Sequence, residues 1–369
     1  MKNLKLIGFL VIMASSLMFI QCTSEPIAGP QGLAGIDGSN GTDGTNGVDG
    51  VNGVDGTTSC VACHNTTHRE AINTQFASSG HATGDSWERG ASASCAQCHG
   101  NEGYIDYINT GAVNAAGYTG VITPISCTTC HEKHGTFDFV NDGHDFALRN
   151  MEPVTLVIDD ATVVDFGNSS NNCITCHQPR NSYAIPGPTA DYLINSKRFG
   201  PHHGPQATVL QGIMGANIAG SATYPAAGNA THRTGSSCTK CHMGAASADK
   251  SQGAHTFNIN TANCNITCHS QGVPTDVKLT IDDTEMTFTE GMKKLHDLLV
   301  TNNYISEGGY VLGNDGLEIA NNGSNAVTVS AKVAQVIWNY KTLEEDLSKG
   351  VHNPNYTKAL LKNSIEALK

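Results

Sequence analysis

Apolar and polar positions follow a regular period in only a few stretches of this chain. Leu6 to Ile20 is a nearly unbroken apolar run behind Lys2 and Lys5. A positive start before an apolar centre too short for a comfortable membrane span is the layout of an export signal, expected over residues 1–21. Two segments, Val154-Thr-Leu-Val-Ile-Asp-Asp160 and Val277-Lys-Leu-Thr-Ile-Asp-Asp283, alternate, reach an Asp-Asp pair and resume with apolar residues. Each predicts a small β-hairpin. Helical spacing is confined to the C-terminal part. Gly291–Asn302 forms one amphipathic candidate; Val333, Val336, Ile337, Tyr340, Leu343 and Leu347 form a second, with Gly350 as its stop. Asn353 is expected to cap a last helix with Pro354 at its first position, and His352 directly precedes that cap. Residues 58 to about 270 read mostly as loop.

Between the apolar start and that region, glycine occupies every third position from Gly29 to Gly56. From Asp37 onward the residue before each glycine alternates Asp and Asn. The pattern resembles collagen Gly-X-Y repeats, in which only glycine fits the crowded axis of three chains. With Pro30 as the single proline of the stretch, a hydrated flexible stalk is the competing expectation. Cys22 follows Phe19-Ile20-Gln21 where a lipoprotein signal would place its lipidated cysteine, although Gln21 is larger than the usual residue there. Residues 22–57 are thus expected to be a lipidated N-terminus and stalk, giving membrane attachment by lipid only.

Composition sharpens the problem of the remaining chain. Hydrophobic residues make up 39% and aromatic residues 6%, thin for a large apolar core, and glycine is abundant at 40 of 369 residues. A net charge of −12 argues against nucleic-acid binding, which would need a basic face.

Cysteine supplies the missing element. Five motifs read Cys60-Val-Ala-Cys63-His64, Cys95-Ala-Gln-Cys98-His99, Cys127-Thr-Thr-Cys130-His131, Cys173-Ile-Thr-Cys176-His177 and Cys238-Thr-Lys-Cys241-His242. A sixth, Cys264-Asn-Ile-Thr-Cys268-His269, is one residue longer. C-x-x-C-H is the attachment signal of c-type haem: two thiols join the porphyrin through thioether bonds and the next imidazole becomes an axial iron ligand. One copy could be half a zinc ribbon or a redox dithiol, but neither requires histidine after every second cysteine. The six pairs use 12 of 13 cysteines and leave only Cys22. Six haems would therefore replace both the missing apolar bulk and the disulfides of a secreted protein.

Sixteen histidines are present; six follow the cysteine pairs. The other ten are His68, His81, His134, His144, His202, His203, His232, His255, His296 and His352. Six irons with two axial ligands each would need six of them. Eight methionines are also present, but none has a position that commends it as a ligand.

From Cys60 to Lys369 the chain resembles the multihaem c-type cytochromes of metal-respiring bacteria, including those that polymerise into extracellular filaments. The patterns that carry the resemblance are Cys127-Thr-Thr-Cys130-His131-Glu-Lys-His134, Phe199-Gly-Pro-His202-His203-Gly-Pro-Gln206, Gly253-Ala-His255-Thr-Phe257 and Gly350-Val-His352-Asn-Pro354-Asn-Tyr356. The resemblance implies distal ligand roles for His81, His134, His232, His255, His352 and one of His202 and His203. It also implies a fold class: a loop-rich multihaem cytochrome, residues 58–369, with little regular structure. A few short helices and small β-hairpins would wrap a closely packed haem array, followed by C-terminal helices. His68, His144 and His296 are left over. His68 is either a solvated loop residue or, as in related filament proteins, a ligand for a neighbouring subunit.

The expected function is electron transfer through about six bis-histidine haem c groups, at the cell surface or outside the cell. No catalytic residue is expected, since an iron with two imidazoles has no open position for a substrate. Partners would be other redox proteins or extracellular electron acceptors, or the chain itself as a homopolymer or a stalk trimer. The alternatives are a filament subunit, a multihaem reductase of nitrogen oxides, and a structural or adhesive protein built on the glycine triplets.

Overall fold

The computed structural model describes residues 58–135, 146–180 and 182–369. The expected signal segment, Cys22, the glycine triplets and His144 lie outside the described residues.

From residue 58 to about 270 the chain runs as loops punctuated by short helical turns. Six of these coincide with the cysteine motifs: Thr58–His64, Ala93–Ala96, Cys127–Cys130, Ser170–Ile174, Cys238–His242 and Ala262–Thr267. Two helices between motifs are longer, α1 (Thr66–Ala77) and α2 (Asn101–Thr110). Asn65 caps α1 by accepting from the His68 N–H, and Gly111 ends α2 in the left-handed conformation at φ 77°.

The strands are few and short. β1 (Val154–Thr155) pairs antiparallel with β2 (Val163–Val164), and Leu156 N donates to Thr162 O across the loop between them. β3 (Tyr192–Ile194) instead has a distant partner. It pairs with β6 (Val327–Val329), a union that no local pattern announces. β4 (Lys278–Ile281) and β5 (Thr284–Thr287) form a hairpin whose two-residue turn, Asp282-Asp283, has both φ angles positive, 52° and 58°. Such a turn matches the right-handed twist of the strands it joins.

Three C-terminal helices hold most of the apolar core: α3 (Phe288–Thr301), α4 (Ala331–Asp346) and α5 (Pro354–Ala367). α3 starts three residues before the apolar period does, because Thr287 and Glu290 form a reciprocal capping box. α4 ends at Leu347 in the left-handed conformation, φ 59°, before Gly350 is reached, so the expected glycine stop is displaced by one turn. Asn353 caps α5 through the Tyr356 N–H, with Pro354 first. Trp338, Ile337, Leu360, Leu361, Leu295, Leu299 and Phe199 are fully buried together. Buried asparagines tie this core to the loop 214–222. Asn339 accepts from Ala216 N and donates to Ala216 O, while Asn363 donates to Ile218 O and Ala222 O. A smaller cluster of Val154, Leu156, Val164, Phe166 and Ile174 lies under the first hairpin. Among the described residues no helix is long and apolar enough to cross a membrane.

Candidate haem-binding centre

Each cysteine motif is a tight turn that its own backbone closes. His99 N donates to Cys95 O at 3.0 Å, His131 N to Cys127 O at 2.9 Å and His177 N to Cys173 O at 3.0 Å. In the lengthened motif His269 N still reaches the first cysteine's carbonyl, Cys264 O, at 3.1 Å. The extra residue is absorbed by converting an i→i−4 closure into i→i−5, a single π-type turn. Ser126 and Ser237 cap two of the turns. Gly90 is obligatory beside another, since a Cβ there would stand 1.7 Å from His99 O.

The turns pack on one another. Gln97 Nε2 donates to Thr175 O and Cys176 Sγ lies 3.6 Å from Gln97 O, joining the second motif to the fourth. Cys238 N donates to Ser170 Oγ and Ser169 Oγ meets Thr239 Oγ1 at 2.7 Å, joining the fourth to the fifth. Thr129 Oγ1 donates to Asn101 Oδ1 at 2.6 Å, linking the third to the second, and Asn150 Nδ2 donates to Thr175 Oγ1 beside the fourth. Asn263 Nδ2 donates to Ala245 O, holding the sixth to the segment that follows the fifth. The first is tied in through His134, three residues beyond His131.

Every motif histidine faces a second histidine. The ring centres are 6.1 Å apart for His64–His134, 6.1 Å for His81–His177 and 6.1 Å for His99–His202. They are 6.3 Å apart for His131–His255, 6.0 Å for His232–His269 and 6.4 Å for His242–His352. The partners lie 37 to 124 residues apart in the chain. All six second histidines implied by the family resemblance thus stand opposite a motif histidine, and His202 rather than His203 takes the shared position. His203 turns its Nδ1 to Glu345 at 2.7 Å. His296 lies beside Tyr340 and Asp297, and His68 is exposed on α1.

The spacing is a test of what the pairs can hold. Two imidazoles bound to one metal ion at about 2.0–2.1 Å stand about 6.3 Å apart centre to centre if they approach from opposite sides, and about 5 Å apart in a tetrahedral site. The observed 6.0–6.4 Å fits opposed axial ligands. The twelve motif cysteines form no disulfides. Their sulfurs and the paired imidazoles therefore suit haem c, with thioether attachment and two nitrogen ligands.

Ring orientation is set by Nδ1. His131 Nδ1 lies 2.7 Å from Phe146 O, His232 Nδ1 2.6 Å from Val351 O and His242 Nδ1 2.9 Å from Phe257 O. His177 Nδ1 lies 3.1 Å from Gln206 Oε1, and His352 Nδ1 2.6 Å from Asp346 Oδ1. An Nδ1 that donates to oxygen leaves Nε2 as the ligating nitrogen. Burial pushes His81 down to about 4, with the nearby rings of His177 and His242 adding to the effect. His202 is likewise pushed down to about 4, by burial first and then by His203. Both are held in the neutral form that binds metal. His352 is the exception. Burial lowers its pKa, but the Asp346 charge and hydrogen bond outweigh burial and raise it.

Four residues of this centre carried no assigned role in the sequence. Phe257, at φ 58°, packs edge-on against His81 at 4.7 Å and His255 at 6.1 Å while its carbonyl accepts from His242. Gln206 bridges His177 and the Glu345 carbonyl. Glu345 and Asp346 close α4. Phe257 and Gln206 sit within the local patterns that carry the resemblance, whereas two carboxylates at a helix end have no sequence signal of their own. Compared with known proteins, the chain matches no family model, no curated protein and no solved structure.

Proposed function

We propose that this chain is an exported electron-transfer protein with six c-type haems, one on each Cys-His motif, each closed on both faces by imidazole. The observation that carries this reading is the matching of all six motif histidines to second histidines at one nearly constant spacing. Haem c held by these cysteines and paired histidines would supply an iron that changes charge by one electron with little rearrangement.

The protein's part is to fix and insulate the imidazoles. Carbonyls of Phe146, Val351 and Phe257 and the Gln206 amide hold the rings by Nδ1, so swinging a ring away forfeits a hydrogen bond. Motif turns that touch, as the second and fourth do through Gln97 and Thr175, keep neighbouring sites close enough for electrons to pass between them. A reductase needs an iron with one open face, and the facing of every motif histidine by another favours transfer over catalysis. Each pair is completed within one chain, so ligation needs no second copy, which favours a monomer over a filament subunit.

The signal segment, a lipidated Cys22 and the glycine-triplet spacer would display this unit at the cell surface, facing other redox proteins or extracellular acceptors. An intact mass of the mature protein with a pyridine haemochrome assay tests the reading. Six haems are expected. A colourless polypeptide with the mass of its amino acids alone would sink it, and carbon monoxide binding without denaturation would revive the reductase.

A further inference from the structure

Of the five Nδ1 hydrogen bonds described for paired histidines, four end on neutral oxygens: Phe146 O, Val351 O, Phe257 O and Gln206 Oε1. The fifth, from His352, ends on the Asp346 carboxylate at 2.6 Å. That carboxylate is 2% exposed and is gripped from its other oxygen by Ser348 Oγ. It is also the last residue of α4, where the unpaired carbonyls make the helix end partly negative. Burial matters because a charge in a low-dielectric setting acts more strongly on its neighbour than one in water. A carboxylate that draws the Nδ1 proton makes the ring a more basic ligand, and a more basic ligand favours the more highly charged state of the metal.

We propose that Asp346 is a positioning residue that lowers the reduction potential of the site formed by Cys238, Cys241, His242 and His352. The inference rests on the haem reading above. Glu344, two residues earlier on α4, provides the internal control, because its side chain accepts from Tyr340 Oη at 3.0 Å and from Lys341 Nζ at 2.6 Å and from no paired histidine. Two carboxylates of one helix thus divide: Asp346 meets a paired histidine, and Glu344 meets a tyrosine and a lysine.

The test is a spectroelectrochemical titration of the full-length holoprotein as wild type, Asp346→Asn, Asp346→Glu and Glu344→Gln, with the haem number of each fixed by intact mass. Asn keeps an oxygen acceptor and removes the charge. In Asp346→Asn, one component of six is expected to move to more positive potential by a tenfold change in its reduction equilibrium, about 59 mV for one electron. The low-spin EPR signal of one haem in six should change with it. Asp346→Glu should restore much of the shift, and Glu344→Gln should leave all six components in place. An Asp346→Asn protein with six haems and an unmoved titration overturns the inference alone, as does a shift shared evenly by all components. A preparation without haem overturns the reading beneath it, and the mass distinguishes the two.

Discussion

His202 and His203 are consecutive residues whose rings, 4.4 Å apart centre to centre, serve different partners. His202 adopts the left-handed conformation, φ 67°, and faces His99 at 6.1 Å; His203 points its Nδ1 at Glu345. Histidine tolerates positive φ better than most residues, and Gly204 then lets the chain pass beneath Gln178, where a Cβ would come within 2.4 Å of the Gln178 carbonyl. The two histidines should therefore separate cleanly on substitution. His202→Ala is expected to leave one haem in six high-spin and open to carbon monoxide. His203→Ala should leave all six low-spin, as read by visible and EPR spectra.

The lengthened motif makes a second prediction. Its histidine recovers the Cys264 carbonyl by an i→i−5 closure, so the extra residue is accommodated and not required. Deleting Ile266 to restore a Cys-x-x-Cys-His spacing should keep the haem count at six. Replacing Cys264 and Cys268 together with Ser should lower the intact mass by one haem and leave the other five.

Leu360 is fully buried among the C-terminal helices. Leu360→Ala removes that packing and leaves a cavity, at an expected cost of about 2–5 kcal/mol. Urea unfolding followed by far-UV circular dichroism should show the midpoint fall while the haem count stays the same.

Asp282 anchors two lysines. Its carboxylate accepts from Lys294 Nζ at 2.7 Å and from Lys369 Nζ at the chain's end. Hydrogen bonds to Lys294 and then Lys369 hold its pKa at about 2, below the ordinary 3.8. A depressed carboxylate stabilises the folded state above its unfolded pKa, and the contribution is lost as pH falls through the folded value. The difference in melting temperature between wild type and Asp282→Asn should be full at pH 5 and above. It should narrow from about pH 4 downward and close by about pH 1. A gap as wide at pH 2 as at pH 5 would contradict the assignment.

The legible parts of this molecule are those written in short spacings. The Asp282-Asp283 hairpin and the cap-and-proline start of α5 are local events whose cues lie within a few residues. The motif turns are local as well, since each closes on its own first cysteine. Pairing is not local: His81 finds His177 and His242 finds His352 through contacts made by the whole fold. The choice between His202 and His203 depends on a left-handed backbone at one of them and a carboxylate on α4 near the other, and neither is visible in Pro-His-His-Gly. β3 and β6 meet for the same reason, as strands whose partners lie far along the chain. Asp346 reads as an ordinary polar helix end until α4 is seen to deliver it, buried, to His352.

The crossing of partners along the chain sets an order of manufacture. On the export route proposed above, a polypeptide threaded amino end first would bring out His64 and His134 early, and their pair could be completed while later motifs are still in transit. His242 would have to wait for His352, 110 residues further along the chain. Protein truncated ahead of residue 352 would lack the second imidazole of that pair, and the proposed haem there would have one face bare to oxygen and to reductants. Maturation would then have to tolerate, or shield, a half-finished site until the carboxyl end arrives.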